Sequence, residues 1–186
     1  MEISDKARAY SKKMFGEKGC ALAETDPEFA ERFCNFAFDE VVNSDDLDDR
    51  THFLAILAAL MGCQGTDAYR EMLPAALNFG VTPVEVKETV YQAAAYLGIG
   101  RVLPFLQATN EILLSRGVKL PLEGQAKTTV QNRLEEGERA QIEIFGEGMR
   151  GFADRGKENG RVNRWLVDNC FGDYYTCLLY TSPSPR

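Results

Sequence analysis

The segment "LMGCQGTDAYREM", which starts at Leu60, holds the side chains of this sequence that are best suited to chemistry. Cys63 offers a thiol, Arg70 a cation and Glu71 a carboxylate, and the one histidine of the chain, His52, precedes them. A thiol becomes a nucleophile only as the thiolate, so a nearby cation or base must lower its pKa. These four residues are therefore the candidate catalytic residues.

The same segment also has a purely structural interpretation, which we favour. Cys63 ends an uncharged run, and free cysteine is among the most buried residue types, so we expect a small buried side chain. His52 falls at a predicted helix start, where a structural role is the commoner one. The residues that follow Cys63 are expected to form a helix cap and a solvated helix face: Asp67, Tyr69, Arg70 and Glu71.

Composition limits the classes of protein to which this chain can belong. It has 186 residues, is 45% hydrophobic and carries a net charge of −7, so it can bury a core. Binding to a phosphate backbone needs clustered Lys and Arg, so we expect no nucleic-acid partner. The uncharged run at residues 53–64 is too short to cross a bilayer, so we expect no membrane partner.

The cysteines and the N-terminal segment favour a cytoplasmic protein. An odd number of cysteines without a C-x-x-C pair is typical of reduced thiols rather than of a disulfide framework. The N-terminal "MEISDKARAYSKK" is charged and lacks the apolar stretch of a secretion signal. We predict neither a metal nor a cofactor, since one histidine excludes a multi-histidine metal site within this chain. The five cysteines are Cys20, Cys34, Cys63, Cys170 and Cys177.

Helix signals recur along the chain and predict an all-α fold. An N-cap followed by proline occurs at Asp26-Pro27, where Phe29, Phe33 and Phe36 follow on one face. A capping box occurs at Thr82–Glu85. Between these two signals, "THFLAILAALMG" is apolar all round, so we expect a fully buried helix that is capped by one of two aspartates. The two capping candidates are Asp48 and Asp49.

Proline and glycine mark the expected ends of the later helices. The helix that opens at Pro83 is expected to end at Gly98. A further helix is expected near Val102–Arg116, with Pro104 in its first turn, where the missing N–H costs little. Pro74 is expected to kink its segment or to begin a new helix.

Internal similarity predicts two related modules that are joined by a linker. "RAYSKKMFGEK" from Arg8 is echoed by "RAQIEIFGEGM" from Arg139, and "NFAFDEVV" from Asn35 by "NCFGDYYT" from Asn169. The two echoes occur in the same order. The predicted boundaries are residues 1–118 for the first module, 119–130 for the linker and 131–176 for the N-terminal part of a second module.

The last ten residues, "CLLYTSPSPR" at 177–186, do not fit the helical sequence before them. They resemble the translation of a sequencing-library adapter, so we exclude them from the prediction of the fold. We accordingly expect the natural protein to continue beyond Thr176 into the rest of the second module.

Several motifs between Leu47 and Leu114 together carry a family resemblance. They are the Asp-x-Arg-Thr lead of the apolar helix, the Gly62-Cys63 at its end, "AALNFGVTPVEVKE" and "YLGIGRVLPFL". The sequence resembles the carboxymuconolactone decarboxylase family, which includes the alkylhydroperoxidase D-like proteins. The resemblance implies an all-α bundle with a central helical hairpin that packs against other subunits. The protein would then be a homo-oligomer, a trimer or a multiple of one, and a two-module member of the family.

The resemblance also implies two chemistries, both acting on a small-molecule substrate. One is thiol-dependent peroxide reduction through a C-x-x-C pair with a Glu and a His, and the other is decarboxylation of a small lactone acid by Glu and His. Here the position of the Glu is Phe53, that of the His is Met72, and those of the two Cys are near Gly65 and Ala68. The first module is therefore expected to be degenerate.

Two functions stay open at this point. The chain belongs to a peroxiredoxin-type oxidoreductase or a small-lactone decarboxylase, or it is a non-catalytic module that builds an oligomer. In the second case the catalytic partner module is missing from this chain.

Overall fold

The computed structural model describes residues 2–18, 21–44, 46–156 and 158–177. Within these ranges every regular element is helical, so the predicted all-α fold is confirmed. Cys20 and residues 178–186 of the predicted adapter-derived tail lie outside the described residues. The α-helices are α1 (Asp5–Phe15), α2 (Pro27–Asn35), α3 (Asp49–Gly62), α4 (Thr66–Asn78), α5 (Pro83–Leu97), α6 (Ile99–Ser115), α7 (Arg133–Phe145) and α8 (Gly160–Trp165).

Two further segments are wound as π-helices. The first π segment, Phe36–Val41, continues α2, and the second, Leu166–Tyr175, continues α8. Short 3₁₀ turns follow α1 and α7. They are Gly16–Lys18 and Ala21–Ala23 after α1, and Glu147–Met149 and Phe152–Asp154 after α7.

The chain forms two compact units. Unit 1 consists of Met1–Pro83 and Gln107–Val118, and unit 2 of Val84–Leu106 and Lys119–Arg186. No helix occurs between the end of α6 and the start of α7, where the linker at 119–130 was predicted. The predicted division into modules at 1–118 and 131–176 stays a prediction.

The helix starts follow the capping signals of the sequence. Asp48 caps α3, because its carboxylate accepts a 2.9 Å hydrogen bond from the backbone N–H of Thr51. This bond lowers the pKa of Asp48, since it stabilises the charged form. α2 and α5 begin at Pro27 and Pro83, as predicted.

The prolines of the later helices differ from the prediction. α6 starts at Ile99 instead of near Val102, directly after Gly98, so Pro104 lies in the second turn and not in the first. Pro74 lies inside the continuous helix α4 and begins no new helix. Its carbonyl oxygen accepts a 3.2 Å hydrogen bond from the guanidinium of Arg116.

α3 and α4 form the expected helical hairpin, but α3 is buried on one face only. Phe53, Leu57 and Met61 point into the core, whereas the opposite face is exposed. The expectation of a fully buried α3 is therefore wrong for this chain, since unit 1 covers a single face of the helix. The exposed face consists of Ala55, Ile56, Ala58, Ala59 and Gly62.

The core of unit 1 forms where α1 packs against the hairpin. The ring of Phe79, just after α4, lies 4.9 Å from the ring of Tyr10 on α1 and 4.7 Å from that of Phe53 on α3. The Lys13 ammonium lies 3.8 Å from the centre of the Phe79 ring. Asn78 donates a 2.9 Å hydrogen bond to the Met14 carbonyl, which further ties α4 to the end of α1.

In unit 2, α7 packs against the second π segment at very short range. A Cβ added to Gly137 would overlap the carbonyl oxygen of Val167, and one added to Gly172 would overlap that of Arg133. Both positions therefore require glycine. Beside this contact, Ala140 packs with Cys170 and Phe171 in a small apolar core.

Candidate functional site

Cys63 lies at the C-terminal end of α3 and is exposed. Its thiol donates a weak 3.5 Å hydrogen bond to the carbonyl of Leu60 in the last turn of the helix. The next residue, Gln64, has a φ of 61°, so the chain reverses direction here. The expected burial of Cys63 is therefore wrong for this chain, because the residue caps the helix at a surface turn instead of packing beneath it.

Arg70 and Glu71 lie side by side on α4, and both are exposed. The guanidinium of Arg70 forms a 2.6 Å ion pair with Glu111 of α6. Within the part of the chain that the structure describes, the Glu71 side chain makes no hydrogen bond or ion pair. As expected, these two residues belong to a solvated helix face. The same expectation is wrong for Tyr69, which is 0% exposed because it points towards α6 and bonds Thr109 there.

His52 is half-buried in the first turn of α3, at the opposite end of that helix from Cys63. At a rise of 1.5 Å per residue, the two backbones are about 16 Å apart along the helix axis. Cys63 at the end of α3 and Arg70 and Glu71 on α4 are thus all exposed on the hairpin, and His52 lies at the other end of α3.

The positions that carry the acid and base in the family resemblance hold apolar side chains here. Phe53 is 1% exposed and packs against Phe79 in the core of unit 1. Met72 is half-buried on α4. Among the described cysteines of unit 1, Cys34 is buried and Cys63 is exposed, so the hairpin presents a single accessible thiol.

A buried hydrogen bond joins the same two helices as the exposed Arg70–Glu111 pair. The hydroxyl groups of Tyr69 on α4 and Thr109 on α6 are 2.8 Å apart and shielded from water. Burial raises the pKa of Tyr69 to about 12. The phenol therefore stays neutral at physiological pH, and its contribution is structural.

Unit 2 contains a cavity of about 440 Å³. α5, the first half of α6, the segment at 122–126 and the end of the second π segment form its walls. Most of the lining is apolar, including Val84, Val90, Val102 and Leu106. The charged lining residues are Lys87, Glu88, Glu123 and Asp173.

Sequence reasoning did not find this cavity. The capping box at Thr82–Glu85 identified α5, and its apolar spacing predicted a packing helix. The one feature of the sequence that could have indicated a binding site here is the charged pair Lys87-Glu88, which interrupts the apolar positions Val86 and Val90. In the structure all four residues are buried. The walls from residues 122–126 and 173–177 could not be assigned to this site from spacing.

The residues that the structure describes contain no group of three or more His, Cys, Asp and Glu side chains that could hold a metal ion. No helix in these ranges is both long enough and apolar enough to cross a membrane.

Comparison with known proteins identifies one part of the chain. Curated proteins and solved structures give no match. Residues 27–111 match the family model described as the carboxymuconolactone decarboxylase family. This range runs from the start of α2 into α6 and includes the whole α3–α4 hairpin. The predicted resemblance is confirmed, because residues 27–111 match the carboxymuconolactone decarboxylase family.

Proposed function

We propose that the part of this chain that matches the family, residues 27–111, builds a homo-oligomer, a trimer or a multiple of one, and is not itself catalytic. The observation that carries the proposal is the exposed face of α3. This face is free of charge along the run from Phe53 to Gln64, and Ile56 within it is 36% exposed. A solvated helix face normally carries charged side chains, so the occupant we propose is the same face of a second copy.

The small side chains on this face also favour contact between two helices. Ala55, Ala59 and Gly62 recur at helical spacing along it, and small residues let two helix backbones approach closely. The family resemblance points to the same hairpin as the surface that packs against other subunits. Both considerations support α3 as the centre of the interface.

The lack of suitable chemical groups supports a non-catalytic role. A peroxide-reducing site of the C-x-x-C type needs a second thiol to resolve the oxidised cysteine. Acid–base decarboxylation needs a carboxylate or imidazole at the reacting centre. Phe53 and Met72 occupy the positions for these groups, and His52 lies at the far end of α3.

Sedimentation velocity on the whole chain tests this proposal. We expect a concentration-dependent oligomer for the wild type. Ala59→Glu should shift it to the monomer, because two or more buried carboxylates would face one another. Ala9→Glu, on the exposed face of α1, is the matched control and should leave the oligomer intact. A monomer at all wild-type concentrations, or an oligomer that survives Ala59→Glu, would contradict the proposal.

The exposure of Cys63 favours a second candidate, peroxide reduction by a single thiol. The Cys63 thiolate would attack one oxygen of the peroxide and break the O–O bond, which gives a sulfenic acid and an alcohol or water. A small thiol would then reduce the sulfenic acid through a mixed disulfide. Peroxide consumption with dithiothreitol in the wild type that is lost in Cys63→Ala would support this activity, and equal rates in both proteins would exclude it.

A further inference from the structure

A carboxylate that has no partner among the described residues lines the cavity of unit 2. Glu88 of α5 is only 7% exposed. Among the residues that the structure describes, its side chain makes no hydrogen bond or ion pair. The carboxylate lines the cavity, so a ligand that fills the cavity and supplies a hydrogen-bond donor could pair with it.

Two of the other charged groups at the cavity have contacts of their own. The ammonium of Lys87 lies 5.1 Å from the centre of the Tyr91 ring, one helical turn further along α5. Asp173 is paired at 2.9 Å with Arg133, and Glu123 adds a further carboxylate to the lining. Carboxylates therefore outnumber the one ammonium, which favours a cationic ligand.

We infer that this cavity binds a small organic ammonium compound, with its charged nitrogen on Glu88 and its apolar body against α5 and α6. The volume of about 440 Å³ lies within the range of small-molecule sites, which are mostly apolar and have a few polar groups that fix orientation. Val84, Val90 and Leu106 provide the apolar wall. An ammonium group can donate a charge-assisted hydrogen bond to the carboxylate.

This site is independent of the association proposed for α3. Glu88 belongs to unit 2, whereas the exposed face of α3 belongs to unit 1. Ligand binding at Glu88 can therefore be wrong while association through α3 is right, and the reverse. Calorimetry tests the first and sedimentation velocity tests the second.

Calorimetric titration of the whole chain with three probes of similar shape tests the inference. The probes are benzylamine, benzyl alcohol and benzoate at pH 7. We expect benzylamine to bind on the order of tenfold or more tightly than benzyl alcohol, and benzoate not to bind. Glu88→Gln should remove the preference for benzylamine, while Glu135→Gln, an exposed carboxylate on α7, should retain it.

A second variant keeps the test decisive if Glu88→Gln does not fold. Ala94→Leu places a larger side chain in the cavity and should abolish benzylamine binding while Glu88 is retained. The inference is overturned if benzylamine does not bind the wild type. It is equally overturned if benzoate binds as tightly, or if benzylamine binds Glu88→Gln or Ala94→Leu as it binds the wild type.

Discussion

Two stretches of the molecule have the same order of elements, and they differ in what packs against them. The first stretch, residues 5–41, and the second stretch, residues 133–175, each run from an α-helix through two 3₁₀ turns to an α-helix that continues as a π segment. In each, the first helix ends in Phe-Gly-Glu, and the glycine has a positive φ, 70° at Gly16 and 90° at Gly146. Similar local sequences have produced similar local structure.

A tertiary contact also recurs in the two stretches. In the first, the hydroxyl of Ser4, the N-cap of α1, donates a 2.6 Å hydrogen bond to Asp39 of the π segment. In the second, Arg133 at the start of α7 pairs at 2.9 Å with Asp173 of the π segment. An aspartate on the π segment thus holds the beginning of the helix in both places, although its partner has changed.

The two stretches differ in how closely the first helix approaches the π segment. They also differ in how much of the first helix is shielded from solvent. Aligned on Phe-Gly-Glu, Ala7 of α1 corresponds to Gly137 of α7, where no Cβ fits. The hairpin covers α1, and Phe15 is half-buried there, whereas the corresponding Phe145 is 61% exposed. Local sequence therefore determines where the helices and turns of both stretches begin and end. Burial of their side chains depends on whether further helices, such as the α3–α4 hairpin in the first stretch, pack against them.

The largest expected effect comes from adding a methyl group at the close contact of the second stretch. Gly137→Ala should lower the free energy of unfolding of unit 2 by about 3 kcal/mol, because the Cβ meets backbone that cannot move aside. The reverse change in the first stretch, Ala7→Gly, should cost about 2 kcal/mol, because it lowers helix propensity and removes a buried methyl group.

Urea unfolding followed by the fluorescence of Trp165, the one tryptophan of the chain, measures the first of these effects. Gly160→Ala, at a helical position with open space, is the matched control and should be close to neutral. If Gly137→Ala were as mild as Gly160→Ala, the close approach of α7 and the second π segment would be wrong.

The next effect concerns the hairpin that covers the first stretch. Tyr69→Phe should lower the free energy of unfolding of unit 1 by about 1–2 kcal/mol, because Thr109 then loses its partner in a buried site. Thr109→Ser keeps the hydroxyl and should be milder. Thermal unfolding followed by circular dichroism at pH 7 provides the comparison, and unchanged stability in Tyr69→Phe would show that the buried bond contributes nothing.

Tyr69 should also make unit 1 sensitive to alkali. Its pKa is raised to about 12 in the folded chain, while an unfolded tyrosine ionises near pH 10. The stabilisation is therefore complete below pH 10 and is lost as the pH rises to 12, because ionisation favours the unfolded state. Tyr69→Phe should weaken this dependence.

The smallest effect should be a gain in stability in the second stretch. Both polar atoms of the Gln141 amide are buried without a partner among the described residues, as is the hydroxyl of the corresponding Ser11 in α1. Gln141→Leu should raise the free energy of unfolding of unit 2 by about 1 kcal/mol, because it removes an uncompensated polar group. A loss of stability, measured by Trp165 fluorescence in urea, would mean that the amide is satisfied.

The elements of this fold could be predicted from sequence, because their signals are local. Proline at Pro27 and Pro83 and the carboxylate of Asp48 identify helix starts through interactions within one turn. The exposure of Cys63 and of one face of α3 could not be predicted, since an apolar helix has the same sequence whether its own chain or a second copy covers it. The cavity around Glu88 was missed for a similar reason, because its walls come from distant segments.

The central claim is that the exposed face of α3 becomes buried against a second copy, and Cys63 at its end is a natural probe. The measurement is the rate at which a thiol reagent modifies Cys63, followed by mass spectrometry of its peptide, as a function of protein concentration. We predict rapid labelling at low concentration and slower labelling as the chain associates, with Ala59→Glu labelled rapidly throughout. A wild-type rate that stays constant while the molecular mass increases would contradict this and place the interface elsewhere.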